Sequence, residues 1–222
     1  MIKLDLQLFG GRGSGSYTAG GVIIGMGGGG GGNSSDLNIA GWTPDAGNRF
    51  VDKANTVKGI KSKIQDLDHE QMAIVDKYGY VVAAVDGGQS SVGITPNAAK
   101  YIKGNDVYHN HPNGGALSTE DVITLGQTGS RSITAFSKNQ KKGYTLTATS
   151  KADGTGLSQA MQKAEKGLLA KWQAKADSMK GKKYTSEASY KKQLNAHWDN
   201  ILGDWMNTNA SKYGYSYSVT KG

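Results

Sequence analysis

Residues 106 to 125 leave the chain little choice of local structure. Asp106-Val107-Tyr108-His109 reads as the end of a strand, and on a strand His109 and His111, two positions apart, leave the same face. Pro112 lacks the amide that would continue a ladder, and Asn113-Gly114-Gly115 turns the chain. A helical pattern then starts at Ser118, with Val122, Ile123 and Leu125 as its apolar positions. That places Asp121 in the first turn, pointing back toward the histidines. A strand, a turn and a helix in this order would let two imidazoles and a carboxylate reach one ion.

Two imidazoles and one carboxylate suit zinc, and three protein ligands leave a fourth tetrahedral position open for water, as in catalytic rather than structural sites. Such an ion makes a hydroxide nucleophile near neutral pH. The chain has no cysteine, so any metal must be held by histidine and carboxylate. Disulfides and a cysteine nucleophile are excluded for the same reason.

Upstream, Glu70 heads Gln71-Met72-Ala73-Ile74-Val75-Asp76, which runs through Lys77-Tyr78-Gly79 into Tyr80-Val81-Val82-Ala83-Ala84-Val85, a hairpin pattern. A helix is expected near Thr95 to Lys103, before the histidine strand. After it, Ser132 to Phe136 and Gly143 to Thr147 read as two further strands.

The order of a glutamate at a strand start, His-x-His-Pro and Ser-x-x-Asp resembles the JAB/MPN (JAMM) metallopeptidase motif over roughly residues 68 to 150. The resemblance implies an α+β fold, a JAB/MPN-like mixed sheet flanked by helices. It implies that His109, His111 and Asp121 bind zinc, that Glu70 handles the proton of the metal-bound water, and that Ser118 helps to stabilise the oxyanion. The implied activity is cleavage of a protein substrate by a peptidase or isopeptidase. One departure is visible: six residues separate His111 from Ser118, where the family pattern has seven.

Each residue also has an ordinary reading. Ser118-x-x-Asp121 is a helix N-cap arrangement, with an acid in the first turn favoured by the helix dipole. Glu70 fits a solvated strand entrance, His69 a surface site, and His109 with His111 a pair of hydrogen-bonded polar groups at a strand end. The letters His109-Asn110-His111 do not make an HNH nuclease, whose motif spreads its residues along a ββα unit.

The termini differ from this core. Leu4-Asp5-Leu6-Gln7-Leu8-Phe9-Gly10-Gly11 resembles the short leader of a large-subunit ribosomal protein of low-GC Gram-positive bacteria and of several bacteriophage head proteins. That resemblance implies removal of residues 1–10 by a host cysteine protease at the Gly10-Gly11 bond, and an origin in a phage or prophage. Phage capsid or other head proteins are then the expected partners, and the host cytoplasm and the virion the expected locations. Residues 11–35, with an unbroken glycine run from Gly27 to Gly32, read as a disordered tether that buries too little surface to offset its entropy. Val22-Ile23-Ile24 is a short sticky spot within it.

The JAB-like domain is expected over 36–150, including a helix marked by Phe50-Val51, Ala54, Val57, Ile60 and Ile64. Residues 151–222 form a basic extension of two helices, with an alternating pattern from Tyr213 to Val219 that reads as an edge or partner-binding strand. Twelve lysines against six acids between Lys151 and Gly222 supply six of the net charge of +8. This is a solvated helical surface or a contact for an acidic partner; without arginines it does not favour specific nucleic-acid readout. No apolar run approaches the roughly 20 residues needed to cross a bilayer, and the N-terminus is too short and polar for a signal peptide. A soluble protein is expected, with a non-catalytic virion-associated structural or morphogenesis protein as the alternative to an enzyme.

Overall fold

The computed structural model describes residues 16–19, 22–25, 34–37, 53–138 and 140–221. The leader with its Gly10-Gly11 bond, and Phe50-Val51, lie outside the described residues. A two-stranded hairpin, β1 (Ser16–Ala19) and β2 (Val22–Gly25), stands where a tether was expected. Its β-branched Val22-Ile23-Ile24 segment favours extended backbone strongly enough to pair locally despite the flanking glycines.

Seven further strands form one mixed sheet: β3 (Ser35–Asp36), β4 (Gln71–Val75), β5 (Val81–Asp86), β6 (Asp106–His111), β7 (Ser132–Ser137), β8 (Lys142–Ala148) and β9 (Tyr215–Lys221). Their order is β3-β5-β4-β6-β7-β8-β9. All neighbours are antiparallel except β6 and β7. A parallel pair needs a crossover, here the helix α3 introduced below. The α+β class and mixed sheet expected from the sequence are present.

The β4–β5 turn is set by Asp76, whose carboxylate accepts from the amides of Tyr78 and Tyr80, both at 2.9 Å. Gly79 supplies the φ of 87° that the turn requires. Helix α1 (Lys53–Ile64) packs Ile60 and Ile64 on one face of the sheet against Ala73, Ala84, Tyr108 and Phe136. Helix α2 (Pro96–Ile102) starts with Pro96 in its first turn behind the Thr95 cap. With α3 (Thr119–Thr128), α4 (Gly154–Met179) and α5 (Glu187–Asn209), it covers the other face.

The backbones of α3 and α4 touch at Gly126 and Gly154. A Cβ on either would sit 2.3 Å from the other's carbonyl oxygen, so only glycine fits. Leu157, Met161, Trp172, Leu194, Trp198, Leu202 and Met206 share one core with Ile74, Val107, Leu125 and Leu146. The C-terminal extension is thus continuous with the domain, and β9 adds a full strand to β8 as the edge of the sheet. Among the described residues, no helix is long and apolar enough to cross a membrane.

Candidate metal centre

Side chains alternate along β6. Val107 enters the core beneath α3, Tyr108 points to α1, and His109 and His111 follow Val107 on the α3 side. Opposite, Met72 of β4 pairs with His109, so Glu70, two residues earlier, emerges on the same face. Its backbone keeps it in the hairpin: the Glu70 amide donates to Gly88 at 2.8 Å and its carbonyl accepts from Gly87 at 2.9 Å.

Asp121 reaches the histidines through the start of α3. Ser118 caps that helix: its hydroxyl accepts from the Asp121 amide at 3.1 Å, while its own amide donates to Asp121 Oδ2 at 2.7 Å. This is a capping box. The cap and the metal-ligand readings of Ser118-x-x-Asp121 hold together, because the cap fixes the carboxylate between the two rings.

The Nε2 atoms of His109 and His111 lie 3.0 Å apart, His109 Nε2 is 3.2 Å from Asp121 Oδ1, and His111 Nε2 is 3.6 Å from Asp121 Oδ2. Three ligand atoms around tetrahedral zinc at bonds of about 2.0–2.1 Å are separated by about 3.3 Å. The two imidazole nitrogens lie near that spacing, with one oxygen of the Asp121 carboxylate beside each ring, and the three residues form the group among the described residues suited to hold a metal ion. Gly115 and Ala116 line the same cavity as these residues, and their backbone groups lie near enough to the His111 ring to favour its charged form slightly.

The electrostatics suit a cation. Burial opposes charge on His109, but Asp121 and Glu70 outweigh it and raise the ring above the ordinary imidazole value. Burial and the neighbouring His109 hold His111 down at about 4. Burial also works against Asp121, yet His109, His111 and the Ser118 amide keep its carboxyl well below the usual range. The carboxylate of Asp121 thus favours positive charge among the two imidazoles, the charge that a metal ion would supply. Glu70 is buried, and burial pushes its carboxyl up to about 8 against the pull of His109.

Glu70, Ser118 and the three donors line one cavity; the structure brings all five predicted residues together. Sequence reasoning missed Asn110. Fully buried on the opposite face of β6, it accepts from the Gln71 amide at 2.7 Å and donates to the His69 carbonyl at 2.8 Å, gripping the backbone on both sides of Glu70. It also missed Asn195 and Trp198 of α5, which line the same cavity. Trp198 belongs to the apolar stripe of that helix, and the signal of Asn195 is only a polar residue beside it. His197 lies outside the donor group. His69 bonds Asp68 and Asp86 at the surface, each at 2.9 Å.

No family model, curated protein or solved structure matches this chain.

Proposed function

We propose that the protein is a zinc-dependent JAB/MPN-like peptidase or isopeptidase that acts on a protein substrate and is encoded by a phage or prophage. The observation that carries this reading is the convergence of His109, His111 and Asp121, with buried Glu70 in the same cavity. The order of Glu70, hairpin, α2, histidine strand and Ser118-capped α3 supports the JAB/MPN assignment. Two imidazoles and a carboxylate favour zinc.

His109, His111 and Asp121 would hold the ion, which would supply polarisation of the scissile carbonyl and activation of water. Glu70 takes the proton from the attacking water and returns it to the leaving nitrogen. It is suited to that exchange because burial sets its carboxyl near neutrality. The Ser118 hydroxyl oxygen accepts the Asp121 amide, which leaves its O–H to donate to the developing oxyanion. Head proteins are the substrates and partners that a phage origin points to.

The test is metal content by mass spectrometry, comparing the wild type with a His109→Ala/His111→Ala double variant. Near-stoichiometric zinc in the wild type, lost in the variant, is expected. Zinc in neither overturns the peptidase reading and leaves a non-catalytic virion-associated structural protein on a JAB-like scaffold.

A further inference from the structure

The six residues between His111 and Ser118 are one fewer than the family pattern, yet both ends of this loop arrive at the metal site. The loop is tightly wound: Gly114 and Gly115 have φ of 78° and 105°, conformations open to glycine. The Gly114 amide folds back to the His111 carbonyl at 3.0 Å. Four more of the loop's backbone groups are taken by side chains distant in sequence.

Three of those contacts come from one face of α5. Asn195 Nδ2 donates to the Asn113 carbonyl at 2.6 Å, Trp198 Nε1 donates to the Leu117 carbonyl at 3.0 Å, and Asp199 Oδ1 accepts from the Ala116 amide at 2.6 Å. Positions i, i+3 and i+4 of a helix lie side by side, so the three groups meet the loop as a unit. From the sheet, Ser137 Oγ accepts from the Gly115 amide at 3.2 Å.

Asp199 is itself fixed. Its Oδ2 accepts from Gln140 Nε2 at 2.6 Å and from the Tyr144 hydroxyl at 2.7 Å. Asp199 is thereby tied to β8 and to the β7–β8 turn as well as to the loop. The Ala116 amide it holds belongs to the six-residue loop that joins His111 to the Ser118 cap of α3. A continuous path of hydrogen bonds runs from β8 and the β7–β8 turn through Asp199 to this loop, whose two ends carry His111 and the cap that fixes Asp121.

We propose that Asn195, Trp198 and Asp199 are positioning residues for the metal site: α5 clamps the shortened loop so that His111 stays in register with His109 and Asp121. The proposal rests on the metal-site reading above. It assigns the C-terminal helices a role in the site itself, in addition to covering the sheet.

The test uses full-length, metal-stripped protein carrying Asn195→Ala, Asp199→Asn, or, as a control on an exposed position of α5, Lys192→Ala. Zinc affinity is measured by competition with a chromophoric chelator, and ligand geometry by the visible spectrum of bound Co²⁺. Urea unfolding of each metal-free protein shows separately whether the fold is intact. Outer-shell partners of metal ligands typically contribute about 10–100-fold in affinity. Losses in that range, with a Co²⁺ spectrum changed from the wild type, are expected for Asn195→Ala and Asp199→Asn and not for Lys192→Ala. If Asp199→Asn does not fold, Asn195→Ala carries the test. A folded variant that binds zinc within twofold of wild type, with an unchanged Co²⁺ spectrum, overturns the clamp while leaving the metal site standing. A wild type that binds neither ion overturns both.

Discussion

Replacing Glu70 by glutamine separates the electrostatic role of this carboxyl from its shape. At low pH the side chain is protonated in the folded and unfolded protein alike, and the variant differs little from the wild type. As pH rises past the ordinary value of 4.5, the unfolded chain loses its proton while the folded protein, with Glu70 raised to about 8, retains it. The folded state then binds more protons than the unfolded one, so the stability contributed by Glu70 falls between these two values and is lost above about pH 8. At about 1.4 kcal/mol per pH unit, the window corresponds to a ceiling of about 5 kcal/mol. An amide does not titrate, so metal-free Glu70→Gln is expected to gain about 2–5 kcal/mol on the wild type between pH 5 and pH 8. His111 titrates in both proteins, whereas His109 loses the part of its upward shift that Glu70 supplies, so the comparison reports Glu70 together with its coupling to His109. The assay is urea denaturation of chelator-treated protein at the two pH values. An equal stability difference at both would refute the argument that Glu70 is buried and uncharged. Repeating it with zinc should narrow the gap, because a nearby cation favours the carboxylate.

The glycine contact between α3 and α4 predicts opposite signs at two positions. Gly126→Ala, whose methyl would meet the Gly154 carbonyl at 2.3 Å, should destabilise by about 1–3 kcal/mol, whereas Gly167→Ala, with open space around it, should stabilise by up to about 1 kcal/mol. Thermal unfolding of both variants checks this, and a shift of the same sign would refute it. Asp106 is 1% exposed, accepts from Arg131 Nε and NH2 at 2.7 Å, and also accepts from Ser132 Oγ at 2.7 Å. Asp106→Ala should cost about 2 kcal/mol or more in chemical denaturation, tempered by the partial access of Arg131 to water.

The legible parts of the molecule are those whose cause is local. Alternation places His109 and His111 on one face of β6, and the Ser118–Asp121 spacing marks the start of α3; both signals lie within thirteen residues. Glu70 was legible because a hairpin pattern follows it directly. Asn110 was not, because gripping the backbone beside Glu70 depends on the antiparallel register of β4 on β6, which no local pattern states. The clamp from α5 was illegible for the same reason. Amphipathic spacing marks Trp198 as facing inward, but nothing in the helix says that the 112–117 loop lies beneath it. The hairpin β1–β2 was hidden by composition, since the glycines around Val22-Ile23-Ile24 outweighed a short β-branched run.

The contacts of α5 with the 112–117 loop span 81 to 83 residues of chain. Such closures are made late in folding, because the entropy of a long intervening segment must be overcome before the contact rewards it. During synthesis, the histidine strand and the start of α3 leave the ribosome well before residues 195 to 199 do. A chain truncated between α4 and α5 would carry both histidines and Asp121 yet leave the loop that joins them without its three anchors.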